Sequence, residues 1–428
     1  MKKNRKWMKK IVCLGAVVTM SLSTLTGCGS KGSTEVKDFA AYAQEVEGIK
    51  LPEEVRIVAL GEATHGNIEF QELKLDVFTH LVETTAVRGF ALEGDFGGCA
   101  LANQYILYDE GTAEEAVKSL GFKIYRTDQM LELVQWMHDY NLEAEEGDKV
   151  RFYGFDMQRD LFSLKLIKDF YLMADVAKAE GFNSRLDALY GETEGAYDKA
   201  NLPEMEKLLK EIVTDLETNE GAYEAVDEEA YAYALQGAKC LLQNIELQGA
   251  GNNYSQVRDK NMAENVKWIL NREEKVHGTK LMLSGHNGHV AKTVNSTYTN
   301  MGYYLQEEMG SEYFVIGTDF YHTTCNLPDG EGRSDYEFCS DDPLAEAVGE
   351  MEGNIYYLDF AKAAESKELD GIIKNAMPTG SLGEAYSPLM KVMKNTYQIN
   401  IPPNDLYDGM IFVYEATPIR VWDYLENE

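Results

Sequence analysis

The chain repeats one pattern five times: a short apolar run that reads as a β-strand stops in a turn of glycine and ionisable residues. The runs span residues 55–60, 89–92, 150–153, 279–283 and 313–317. Helical spacing separates them, with Phe70, Leu73, Val77 and Leu81 in one interval, Met130, Leu133, Val134 and Met137 in another, and Met262, Val266, Ile269 and Leu270 in a third. Strands alternating with helices predict an α/β fold, a mostly parallel sheet flanked by helices. Residues 175–251 carry no strand signal but set Met205, Leu208, Leu209, Ile212 and Leu216 at helical spacing, so they read as a helical insertion. Beyond Asp319, a turn-rich stretch at 326–332 and further apolar runs at 355–360 and 410–414 predict an α+β C-terminal portion.

A length of 428 residues exceeds what one core usually fills, which fits a large domain carrying an inserted unit. The formal net charge is -32, with no basic stripe after the first ten residues. Such a surface repels phosphate backbones, so nucleic acid is excluded as a partner class.

The N-terminus reads as an address rather than as structure. Lys2, Lys3, Arg5, Lys9 and Lys10 precede an apolar run at 11–20 that is too short to span a bilayer comfortably, the pattern of a secretory signal peptide over residues 1–27. It ends in Leu25-Thr26-Gly27-Cys28, which resembles a bacterial lipobox and implies a lipid anchor on Cys28, followed by a flexible tether over residues 28–36. The expected protein is therefore exported and membrane-anchored, with its catalytic domain over 37–428. Cys99, Cys240, Cys325 and Cys339 form no CxxC pair and no zinc-like spacing, and buried free thiols are the simplest reading.

In open parallel sheets, ligands bind beyond the carboxyl ends of the strands. The residues gathered there are Gly61-Glu62-Ala63-Thr64-His65-Gly66, Glu93-Gly94-Asp95, Gly154-Phe155-Asp156 and Ser284-Gly285-His286-Asn287-Gly288-His289, with a fifth strand ending at Asp319. Three of the seven histidines thus fall on one edge, among carboxylates that would shift their pKa values. His80, His138, His277 and His322 lie elsewhere and read as packed or surface residues. The chain has no GxSxG elbow, HExxH, Walker loop or GxGxxG. A histidine base with a carboxylate beside it suits direct activation of water against an ester or lactone carbonyl.

Five spaced segments carry a resemblance: residues 61–66, Ala91-Leu92-Glu93, Tyr153-Gly154-Phe155-Asp156, the stretch from Arg258 to Asn265, and residues 284–290. Together they resemble the erythromycin esterase family. The resemblance implies a cleft that hydrolyses cyclic esters, with His65 as general base for water, Glu93 orienting it or sharing its proton, and His286 and His289 binding the carbonyl or the substrate. Glu62, Asp156 and Arg258 match further family positions and take supporting roles. It also brings macrolides, and hence macrolide resistance, into the expected range. The last of these segments departs from the pattern, with Ser284-Gly285 where many relatives carry Trp-Ala.

No cofactor is expected. Two alternatives use the same residues differently: His65, Glu93, His286 and His289 as ligands of a divalent metal, or the cleft as the ligand site of a non-catalytic binding lipoprotein.

Overall fold

The computed structural model describes residues 35–422 except 192, 295, 296 and 331. The chain divides into residues 1–33 and residues 34–428. The expected signal peptide and the anchor at Cys28 fall in the first unit and lie outside the described residues. Among the described residues, no helix is long and apolar enough to cross a membrane.

The second unit is built on a sheet whose strands are β1 (Ile57–Glu62), β2 (Val87–Asp95), β3 (Arg151–Asp156), β4 (Lys280–His286), β5 (Tyr313–Pro328), β6 (Arg333–Cys339), β7 (Ile355–Asp359) and, after the small pair β8 (Met377–Gly380) and β9 (Gln398–Ile401), β10 (Gly409–Ala416). The order is β3-β2-β4-β1-β5-β10-β7, with β6 hydrogen-bonded to β5. The first six strands of this order run parallel, whereas β7 lies antiparallel to β10 and β6 antiparallel to β5.

Both faces of the sheet are covered, which is why the strands read as continuous apolar runs. Val58 and Leu60 of β1 join one core with Phe70 and Leu73 of the helix Ile68–Thr84 and Met130 and Leu133 of the helix Asp128–Glu143. Ile57 and Ala59, pointing the other way, join Met262 and Val266 of the helix Tyr254–Arg272. The helices Leu161–Ala174, Val176–Tyr190, Leu202–Thr218 and Glu228–Gly249 enclose a third core around Ile167, Leu186, Leu208, Ile212 and Leu241. The helix Leu161–Ala174, ahead of the expected insertion, also contributes Leu164, Ile167 and Phe170 to that third core.

The strand ends differ from expectation in two ways. Most strands run two or three residues further, so Glu62, Asp156 and His286 are themselves terminal strand residues. β5 does not stop at Asp319 but continues to Pro328 and pairs with β6 from His322 onward. Asp319 is consequently interior, accepting from the backbone N–H of Phe320 and Gly380, and takes no place on the cleft edge.

Candidate active site

The carboxyl ends of β1, β2 and β4 converge on one cleft. Gly61 permits the approach, since a Cβ there would lie 2.2 Å from Asn287 Oδ1. Asn287 in turn ties this turn to β5, donating to Thr318 O at 2.7 Å and accepting from Thr318 N–H at 3.2 Å.

His65 Nδ1 lies 2.6 Å from Glu62 Oε1. The other oxygen, Glu62 Oε2, accepts from Lys74 Nζ at 2.7 Å, and Lys74 is wholly buried. Burial alone would push Glu62 up, but Lys74 and His65 outweigh it and hold the carboxyl down to about 2. Burial likewise opposes a charged imidazole, yet Glu62 outweighs it and lifts His65 to about 9. Lys74 was not singled out in the sequence, although a signal was present. It sits four residues after Phe70 and three before Val77, on the apolar stripe, and a lysine there requires a buried anion.

β2 delivers Glu93 through a bulge: Leu92 pairs with Gly154 and Asp95 with Asp156, so β2 holds one residue more than β3 across that interval. The extra residue re-aims the strand end. Glu93 Oε2 accepts from His286 N–H at 2.8 Å and Oε1 from Arg258 Nη2 at 2.7 Å. Burial opposes its ionisation, but His289, Arg258 and His65 hold it far below the usual carboxylate range. Gly285 makes room for it, because a Cβ at 285 would meet Glu93 Oε2 at 2.9 Å.

Arg258 donates to Asp156 Oδ2 through Nε at 3.0 Å and Nη2 at 2.5 Å, so Asp156 anchors the guanidinium that holds Glu93. Its neighbour Asp259, fully buried, accepts from His289 Nδ1 at 2.8 Å and from Met301 N–H at 2.8 Å. Asp259 lies within the segment that carries the resemblance, but nothing in the sequence marked it apart from Arg258. Asp95, a candidate on the same edge, caps the helix Phe96–Tyr108 through Gly98 N–H, and burial pushes it up to about 8.

The three histidines are together but not equivalent. The rings of His65 and His286 lie 5.4 Å apart and those of His286 and His289 6.2 Å apart. His286 is engaged at both nitrogens, Nδ1 accepting from Gly288 N–H at 3.1 Å and Nε2 donating to Leu382 O at 3.0 Å. Burial, with His65 and His289 nearby, depresses it to about 4, so it stays neutral. His289 Nε2 lies 3.1 Å from Arg258 Nη1 and 3.3 Å from Glu93 Oε1. Burial opposes its charged form, but Glu93 and Asp259 raise its pKa. His65 Nε2 alone among these ring nitrogens has no hydrogen-bond partner among the described residues. His80 and His138 bind Ile49 O and Asp109 away from the cleft.

A metal is poorly matched by this arrangement. The nitrogens of His286 and His289 and both oxygens of Glu93 already face protein donors or acceptors. Among the described residues no cluster of three or more histidine, cysteine, aspartate or glutamate side chains is arranged to hold a metal ion. Cys99, Cys240 and Cys325 are buried free thiols.

One wall of the cleft comes from the C-terminal portion, beyond every motif seen in the sequence. Leu382 N–H donates to Ala63 O at 2.8 Å while Leu382 O receives His286 Nε2, so this residue bridges the ends of β1 and β4. Glu384, two residues on, is bound by Arg333 of β6.

The sequence profile described as erythromycin esterase matches residues 82–416. The chain is 25% identical over 312 residues to the erythromycin esterase type II of Escherichia coli, covering 65% of this chain and 73% of that protein. Among solved structures it is similar to a Bacillus cereus protein, with TM-score 0.76, 22% identity, and coverage of 91% of this chain and 98% of that one. It is also similar to an erythromycin esterase in its open conformation, with TM-score 0.59, 16% identity, and coverage of 85% and 91%. The structural likenesses show a shared fold.

Proposed function

This chain belongs to the erythromycin esterase family, and from that premise we propose that it hydrolyses a carboxylic ester or macrolactone with water activated by His65. The observation that carries the reading is the open Nε2 of His65, on a ring whose other nitrogen is fixed by Glu62. In the neutral ring Nε2 accepts a proton from water as the water oxygen attacks the carbonyl carbon, and the carbonyl electron pair moves onto oxygen. Collapse of that oxyanion breaks the C–O bond, and His65 returns the proton to the departing alkoxide. The products are an acid and an alcohol, one water heavier than the substrate.

The remaining groups hold this geometry. Arg258 places positive charge beside Glu93, with His289 next to both, where a developing oxyanion gains from fixed charge. His286, neutral and tied at both nitrogens, buttresses the ring of His65. No step in this scheme requires a metal. We further propose that the enzyme acts outside the cytoplasmic membrane, anchored through lipid on Cys28, and that macrolides fall within its substrate range, giving resistance.

The test is to incubate the protein and its His65→Ala variant with a macrolide and a panel of simple esters and lactones, and to follow product masses. A gain of one water that disappears in the variant supports the scheme. Hydrolysis that survives in the variant removes His65 from its role, and saturable binding without chemical change favours a binding lipoprotein.

A further inference from the structure

Glu384 belongs to the wall beside the base and comes from a part of the chain that no motif marks. Its oxygen Oε1 is bound by Arg333 Nη1, whereas Oε2 is shut away from solvent with no hydrogen-bond partner among the described residues. That oxygen is turned inward although the side chain as a whole is 31% exposed, so its charge acts in part through protein rather than water. The contacts that seat Glu384 lead to the turn bearing His65, and a negative charge on that wall favours the protonated ring.

The placement is enforced by a closed ring of contacts. Gly66, next to His65, accepts from Asn326 N–H at 3.0 Å. Asn326 is gripped at both its side-chain and backbone oxygens by Arg333, at 2.8 and 2.7 Å, and Arg333 holds Glu384. From Glu384 the chain returns through Leu382 to Ala63, two residues before His65. Thus Glu384 is tied to the turn bearing the base by the Arg333 side chain on one side and by the backbone of Leu382 on the other.

We propose that Glu384 and Arg333 are positioning residues for the hydrolysis described above, forming a charge pair outside the motifs that sets how readily His65 takes up and releases a proton. The inference rests on His65 being the base. The other charged or titratable groups facing His65 are Glu62 from β1, Lys74 from the following helix by way of Glu62, Glu93 from β2 and His286 from β4. All of these lie in or beside the β1, β2 and β4 ends. Glu384 and Arg333 lie on a separate wall, so the proton affinity of the base depends on how that wall is seated.

The test reads His65 directly. The full chain, labelled with carbon-13 histidine, has seven imidazole signals, and His65→Asn identifies the relevant one. Glu384→Gln removes a negative charge and is expected to lower the titration midpoint of His65 by about one pH unit. Glu384→Asp should restore most of it. Arg333→Gln leaves the carboxylate uncompensated and should move the midpoint the opposite way. An unmoved midpoint in Glu384→Gln, or shifts of the same sign in both charge-removing variants, overturns the proposal. A purely structural wall would give the latter. Because the titration needs no turnover, a chain that hydrolyses no ester yet shows the opposed shifts separates failure of the proposed function from failure of this inference.

Discussion

Lys74 and Glu62 form an ion pair 2.7 Å long with both side chains almost wholly buried, and the other oxygen of Glu62 meets the imidazole of His65 at Nδ1. Glu62 thereby divides one charge between the lysine ammonium and a titrating ring. Lys74 limits how strongly Glu62 holds the proton of His65, so the pair tunes the base as well as anchoring it.

Lys74→Met should therefore do two things. It leaves a buried carboxylate with His65 as its remaining charged partner, which costs roughly 3 to 5 kcal/mol of stability, visible as a lowered unfolding midpoint in urea. It also strengthens the hold of Glu62 on His65, moving the rising limb of the kcat/KM profile to higher pH. A stable variant with an unchanged profile would show that Lys74 does neither.

The wild-type profile carries its own prediction. With His65 lifted to about 9, the neutral base is roughly one part in a hundred at pH 7, so kcat/KM should climb through neutrality, reach half its plateau near pH 9 and level off above that. Glu62→Gln should bring the midpoint down toward the ordinary imidazole range. Stability runs in the reverse sense. The pKa of His65 is higher in the folded chain, so its contribution is full below the ordinary value near 6.5 and fades as pH rises through about 9. That of Glu62 is present above its ordinary value and fades as pH falls toward about 2. Urea unfolding of wild type against His65→Asn, at pH 6 and at pH 10, measures the first of these as a gap that narrows with alkalinity.

Gly285→Ala places a methyl group 2.9 Å from Glu93 Oε2, and the carboxylate must move away from the His286 N–H that it accepts. The expected loss in kcat is about 10- to 100-fold, with the unfolding midpoint little changed. Full activity in this variant would mean that the position of Glu93 is not critical.

Prolonged dialysis against a chelator should leave hydrolysis intact. Loss of activity that is restored by one divalent ion would return the metal-centred reading to first place.

Much of the cleft edge could be read from sequence because each strand is an apolar run with a sharp end. His65, Glu93, His286 and His289 each follow or close such a run, and a parallel sheet brings those ends together. What escaped was of two kinds. Lys74 was visible but looked like one polar residue in a helical stripe, and its meaning depends on the side chain opposite it. Leu382, Arg333 and Glu384 gave no local signal at all, since their role arises when a segment some 320 residues downstream of Ala63 closes over β1. Asp319 was misplaced for a related reason. The end of β5 is set by its pairing with β6, a hairpin whose register is not written in the apolar run itself.

The overlong β5 belongs to two structures at once. Its inner half belongs to the parallel sheet, while its outer half and β6 project as a ribbon that carries Asn326 and Arg333 toward the turn after β1. A change in that ribbon therefore reaches the turn that bears His65 without passing through the strand ends that carry Glu62, Glu93 and His286. The cleft can be retuned from outside the parallel sheet, by residues that take no part in its core.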